Sequence, residues 1–338
     1  GLALPAGAQD TPSDDGESFT IRLIQNALSD AGRVVNISGF SGGIFSNATM
    51  DRLTIADEEG VWLEIDNAEL DWNRSALLRG RLQINTLTAE TITLTRLPEA
   101  IEDDTPAPEA TGFRIPNLRV AIDIDDVAVD NLVLGEAVLG QAATLTLTGS
   151  ASLENGGMDV DIKVDRLDAP GEFSIDASYD PADTTLAVDL TLREPSGGIA
   201  SSLMDLPGDP AIDLTVSGTG PLDDYRAEID LDTDGEDRLT GAVTLAANDE
   251  GGRDFTVDLG GDITALVLQQ YRDFFGTEVG LTAAGSVAAD GALDLASFEL
   301  SAAALDLQGT ARLTGDFQPV AFDVTGRIQS EDGSRIEL

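Results

Sequence analysis

The chain has 338 residues, 42% of them hydrophobic, and carries 62 Asp and Glu against 19 Lys and Arg, for a formal net charge of −43. It has no His, no Cys and one Lys, Lys163, which excludes histidine bases, cysteine nucleophiles and Cys/His metal sites. Nucleic acid and electrostatic docking on an anionic membrane are excluded as well, because both need clustered cations.

Leu2-Ala3-Leu4-Pro5-Ala6-Gly7-Ala8 reads as the end of a secretory signal or anchor segment (1–8), with Ala6 and Ala8 as small residues before a cleavage point. That points to an exported chain. Residues 9–17 are polar, include Pro12 and Gly16, and predict a linker. Ser18 would cap a helix carrying Phe19, Leu23, Ile24, Ala27 and Leu28 on one face and ended by Gly32. A helix there could cover the open edge of a sheet. Val34-Val35-Asn36-Ile37 predicts a strand, broken by Gly39, Gly42 and Gly43. These glycines lack the Lys-Ser/Thr ending of a P-loop and the spacing of a dinucleotide fingerprint, so they are read as a tight turn.

In 49–97, Leu53 and Ile55 alternate with polar neighbours, Asp57-Glu58-Glu59-Gly60 turns the chain, and Val61, Leu63 and Ile65 resume the alternation. Asn73 is placed as the N-cap of a short helix stopped by Gly80. Leu82, Ile84, Leu87, Ile92 and Leu94 follow as further strand residues, completing an N-terminal unit over 18–98. Residues 99–113 are acidic and proline-rich and predict an exposed, extended loop.

From 114 to 338 the pattern is monotonous: apolar residues alternate with Asp, Thr, Ser and Glu, and turn signals such as Asn155-Gly156, Asp234-Gly235 and Asp290-Gly291 separate the runs. Such spacing predicts an antiparallel meander with one wet face. Two interruptions, near 196–205 and 262–275, predict helices; the stripe of Tyr271, Phe274 and Phe275 on the second is read as core or end-plug packing rather than a ligand contact. Lys163 lies within an alternating run and reads as a solvated strand residue rather than the base of a Ser–Lys pair. Asp230-x-Asp232-x-Asp234-Gly235 matches the start of an EF-hand loop, but Gly241 stands where the bidentate Glu belongs. An acidic turn is the simpler reading. No metal or cofactor is expected, no carboxylate pair is singled out, and the chain is not expected to be an enzyme.

Asp57-x-x-Gly60-Val61-Trp62-Leu63, then Leu70-Asp71-Trp72-Asn73-Arg74-Ser75-Ala76-Leu77-Leu78-Arg79-Gly80 and Arg96-Leu97-Pro98, resemble the N-terminal part of the TamB family. Its members are translocation-and-assembly module subunits within the AsmA-like group of bacterial envelope proteins. Gly218-x-Gly220-Pro221-Leu222-Asp223-Asp224-Tyr225 and Tyr271-Arg272-x-Phe274-Phe275-Gly276 look like alphaproteobacterial members. The resemblance implies an elongated β-groove that spans the periplasm from an inner-membrane attachment and moves phospholipids between the membranes. It also implies a part in outer-membrane protein assembly and secretion, with an outer-membrane barrel partner of the TamA type contacted through a C-terminal region. TamB-like chains are usually far longer than this one.

The alternating runs amount to about eighteen to twenty strands, mostly of about six to nine residues. An open twisted sheet rarely passes about ten strands without curling, splitting or closing. The expected fold is therefore mainly β: an elongated antiparallel meander with a few short helices. Alternation does not separate a curled apolar groove from a self-filled sandwich; the resemblance favours the groove, taco-like or solenoid-like. Its candidate lining for phospholipid acyl chains is Val120, Ile122, Ile124, Leu145, Leu147, Val160, Ile162, Val164, Phe173, Ile175, Leu186, Val188, Leu190, Ile212, Leu214, Val216, Phe255, Val257 and Leu259. The competing readings are a chaperone-like or scaffold module that binds client strands by β-augmentation, and an adhesin with calcium-bound acidic turns.

Overall fold

Residues that alternate apolar and polar bury one side-chain set only if they are extended and hydrogen-bonded to neighbours doing the same. In the computed structural model, which describes residues 34–42, 47–77, 79–98, 121–316 and 318–328, they do so as one sheet. Its strands are β1 (Val34–Ser38), β2 (Ser41–Gly42), β3 (Asn47–Asp57), β4 (Gly60–Trp72), β5 (Arg81–Leu94), β6 (Ala121–Leu134), β7 (Ala143–Glu154), β8 (Gly157–Arg166) and β9 (Glu172–Asp180). They continue as β10 (Thr185–Glu194), β11 (Ile212–Pro221), β12 (Asp224–Thr233), β13 (Glu236–Ala247), β14 (Arg253–Gly261), β15 (Val279–Val287), β16 (Leu293–Ser301), β17 (Leu305–Leu313) and β18 (Pro319–Ile328). From β3 onward they run 9 to 14 residues, longer than the spacing of the alternating runs suggested.

Each strand from β3 on pairs with the next in sequence, and β1 and β2 both lie against β3. Among the described residues no register joins the β18 end back to the β1 end, so the sheet is not closed into a barrel. Tight hairpins carry most steps. Asn155-Gly156 (φ 52° and 81°) and Asp234-Gly235 (φ 54° and 77°) are two-residue turns with both residues left-handed, the conformation that suits the sheet's twist.

One step departs from the expected meander. β5 and β6 pair in parallel, Arg81 opposite Ala121 through Leu94 opposite Leu134. Parallel neighbours need a crossover of a dozen residues or more, and 95–120 supplies one; the acidic proline-rich loop lies within it. The predicted 18–32 helix lies outside the described residues.

Strand directions assign every connection to one of two rims. From β6 onward, 155–156, 181–184, 222–223, 248–252, 288–292 and 314–318 lie on one, the turn rim. The other, the helical rim, receives 135–142, 195–211 and 262–278, each after four more strands. The first holds a helix Glu136–Leu139 that the alternation did not signal, ended by Gly140 in the left-handed region (φ 77°). The second holds Ile199–Leu203, shorter than the 196–205 expected. The third begins, as expected, with the Asp262 carboxylate accepting from the Thr264 N–H (2.9 Å). It then breaks into two 3-10 turns and a four-residue helix Arg272–Phe275, because Leu268 is extended (ψ 146°). At the opposite end of β4, Asn73 caps Arg74–Leu77 through the Ser75 N–H (3.1 Å), as its sequence predicts.

Candidate functional site

In an antiparallel ladder, directly opposed residues share a face, so the registers trace the apolar face from strand to strand. One row runs Val127, Gly149, Ile162, Ile175, Leu190, Val216, Ile229, Gly241, Leu259, Leu281, Leu300 and Leu307 across β6 to β17. The row continues through the parallel step to Leu87 and Leu70. All the candidate lining residues from Ile122 to Leu259 fall on this same inner face, spread over β6 to β11 and β14. Val120 lies outside the described residues. β3 to β5 and β15 to β18 extend the face with residues the candidate set omitted, among them Leu53, Ile65, Ile92, Leu281 and Phe298. Leu53, Ile65 and Ile92 already stand out as alternating strand residues without being assigned to the lining, whereas around Leu281 the signal is diluted by Ala and Gly, as in Val279-Gly280-Leu281-Thr282-Ala283-Ala284-Gly285.

Charge avoids the inner face except at strand ends, where Arg166, Glu194 and Arg253 sit. The outer face is built from the intervening residues, such as the row Asp165, Glu172, Arg193, Asp213, Asp232 and Asp237.

Burial separates groove from sandwich. Inner residues of a closed sandwich would be fully covered by the opposite sheet. Here only Leu145 and Ile212 of the candidates are buried, and the other described ones are half-buried. Of the thirteen buried hydrophobic residues described, seven are alanines (Ala68, Ala76, Ala89, Ala143, Ala177, Ala242 and Ala304), so among the described residues no second layer of large side chains fills the space above the sheet. On β18, last in the ladder, Phe322 is 77% exposed although it faces inward opposite Ala311.

Glycines shape the floor. β7, β11 and β15, each the strand after a helical connection, carry the same pattern, Leu145-Thr146-x-x-Gly149, Leu214-Thr215-x-x-Gly218 and Leu281-Thr282-x-x-Gly285. The sequence reading passed over this repeat. At Gly149 an inner-face Cβ would strike the Asp161 carbonyl oxygen, and at Gly285 that of Asp294. Such close approach of neighbouring backbones on one face is how a sheet bends toward it. Phe255 lies over Gly285, Phe298 over Gly309 and the Tyr225 hydroxyl over Gly218, so three of the inner face's aromatic side chains cover glycines.

Polar groups concentrate at the helical rim. The Glu194 carboxylate, 9% exposed, accepts from the Ala200 N–H (2.6 Å) and so ties down the Ile199–Leu203 helix. Arg166 binds Asp168 (2.7 Å), which holds the Asp168 carboxyl below the usual carboxylate range. Arg96 clasps the Asp57 carboxylate and the Gly60 carbonyl at the β3–β4 hairpin, and its hydrogen bond lowers the Asp57 pKa. Asp232 is pushed up, first by desolvation and then by Asp230, Asp237 and Asp213; its Oδ1 is buried without a hydrogen-bond partner. Asp230 and Asp232 are strand residues and Asp234 is in a turn, accepting from the Ala211 N–H (3.0 Å); no three acidic residues among those described are grouped to hold a metal. A cleft of about 550 Å³ at this rim is lined by Asp165, Arg166, Glu172, Arg193, Glu194 and Asp213, among others. Its charged lining sets it apart from the apolar floor.

A family model described as YdbH-like, intermembrane phospholipid transport protein YdbH, matches residues 16–334. The chain belongs to the YdbH-like family. Comparison with curated proteins and with solved structures returned no match. The YdbH-like assignment supports the AsmA-like, TamB-type class of envelope proteins; it does not extend to TamB itself. No helix among the described residues is long and apolar enough to cross a membrane.

Proposed function

We propose that this YdbH-like chain carries phospholipids between the membranes of the cell envelope, with their acyl chains lying on the inner face of the sheet. One observation carries this: an apolar face continuous across the strands, free of charge away from strand ends, and left half-exposed. Burying a methylene stabilises by about 0.8 kcal/mol, so a fatty chain gains several kcal/mol there without any polar anchor. Head groups stay in water. The mechanism is passive: with equivalent aliphatic side chains along the row, a lipid can shift from strand to strand at little cost. The YdbH-like match supports lipid transport as the role. A TamA-type partner and a part in outer-membrane protein assembly rest on the TamB-like residues alone.

Photocrosslinking tests the reading. A photoreactive residue replaces Ile162, Val188 or Leu214 on the inner face, with Lys163, Asp189 and Asp213 as outer-face controls. Phospholipid adducts at the first set alone are expected. Polypeptide adducts in their place would move the assignment to a chaperone that binds client strands.

A further inference from the structure

Among the described residues, the large apolar side chains left exposed outside β18 are not spread over the molecule. Apart from Leu87 in mid-β5, they stand at the helical rim: Leu97, Leu167, Leu203, Met204, Leu268 and Tyr271, with Val34 and Val61 at the starts of β1 and β4. Leu203 and Leu268 are 59% and 53% exposed. Among the described residues none stands on the turn rim from β6 onward, where the turns expose carboxylates such as Asp183, Asp223, Asp249 and Asp290; on the helical rim carboxylates such as Asp168, Asp205 and Asp273 are interspersed with the apolar residues.

The residues on the helical connections are held in place. Gln141 Nε2 donates to the Gly197 carbonyl (3.2 Å) and to Ser202 Oγ (3.3 Å), linking the first connection to the second across four strands. The Phe274 and Phe275 carbonyls accept from the Ala304 and Ala303 N–H groups (both 2.9 Å), linking the third to the β16–β17 turn. Phe274 and Phe275 meet edge to face at 5.1 Å.

We infer that acyl chains enter and leave the groove across the helical rim and that the turn rim is closed to them. This rests on the lipid-groove reading above. A fatty chain sliding off the floor over the helical rim crosses the ends of β8 and β10, where Arg166 and Glu194 are already engaged by Asp168 and the Ala200 N–H, and reaches exposed Leu, Met and Tyr beyond them. Over the turn rim it would have to strip water from carboxylates that gain nothing in return. The charge of −43 makes an anionic surface the wrong partner for these apolar residues.

The experiment places a benzophenone amino acid at Leu203 or Leu268 on the helical rim, at Asp183 or Asp249 on the turn rim, and at Ile162 on the floor. The protein is at full length in its own cells, and adducts are identified by mass spectrometry. Phospholipid at Ile162, Leu203 and Leu268, with at least a several-fold lower yield at Asp183 and Asp249, is the expected result. Phospholipid at Ile162 with equal or greater yield at the turn rim overturns the inference and leaves the groove intact. Lipid on the floor but polypeptide at Leu203 and Leu268 also overturns it, and makes that rim a protein-docking surface. Absence of lipid at Ile162 as well removes the groove reading and the rim inference with it.

Discussion

Across β8, β9 and β10 the inner face presents Ile162, Ile175 and Leu190, while one residue away the outer face presents Asp161, Asp176 and Asp189 directly opposite one another. A single backbone layer thus separates a row in which every neighbour attracts from a row in which every neighbour repels. Like charges facing each other across strands are destabilising. The sheet tolerates them because they are in water and screened, while the ladder and the inner row hold the strands. Stability and function therefore draw on the same face, and the outer face serves solubility.

A charge on the inner row should give the largest effect. Ile175→Asp is expected to lower phospholipid recovered on the protein by about tenfold or more, since a buried, unpaired carboxylate costs several kcal/mol. Asp176→Ile, on the other face, should leave lipid recovery unchanged. Lipid extraction and mass spectrometry of both variants decides this, and equal losses would erase the distinction between the faces.

Next comes crowding of the floor. Gly285→Val puts a side chain against the Asp294 carbonyl oxygen and the Phe255 ring, and should cost roughly 1–3 kcal/mol in thermal unfolding. No loss would mean that the floor is not bent there.

Acid titration separates two carboxyls with opposite signs. Asp57 is held low by Arg96, so their pairing contributes fully above the ordinary carboxylate pKa and is lost as pH falls through the lower folded value. Asp232 is raised, chiefly by desolvation, so its ionisation opposes folding above that raised value and the penalty lifts as pH falls through it. The thermal midpoint should rise on acidification from neutrality toward the ordinary carboxylate range, then fall below it. Asp232→Asn should flatten the rise and Arg96→Gln should blunt the fall.

The smallest effect is expected from Asp176→Asn, which relieves repulsion from Asp161 and Asp189 and should stabilise by about 0.5 kcal/mol at low salt, with no change in lipid recovery. A loss of stability would show that the acidic row has a partner of its own.

Much of this architecture was legible because alternation is a local property. Leu186-x-Val188-x-Leu190-x-Leu192 announces a strand and its inner face whatever its neighbours do, and Asp234-Gly235 announces a hairpin. Direction is not local. Nothing in Leu82-x-Ile84 or Ile122-x-Ile124 says that these residues lie side by side and run the same way; that depends on where the 95–120 crossover returns the chain. Three parts of the site escaped for a related reason. Gly149, Gly218 and Gly285 interrupt the alternation and look like defects until the opposite strand's carbonyl is seen against them. The helix at Glu136–Leu139 is a single turn, too short for periodicity, and only the flanking Gly135 and Gly140 hint at it. The division of exposed apolar residues between the two rims emerges only when the strands are assembled, since Leu203 and Leu268 are far apart in sequence and share a rim through strand parity alone.

The recurrence of a helical connection after every fourth strand, each followed by Leu-Thr-x-x-Gly, has a consequence for size. At about 4.8 Å per strand, one such block adds about 19 Å along the sheet and leaves its cross-section alone, because it begins and ends on the same rim. Inserting or deleting a whole block would therefore work as a ruler, setting the distance the sheet bridges in steps of fixed length. A cut of one or three strands would exchange the two rims downstream and put helices where hairpins belong.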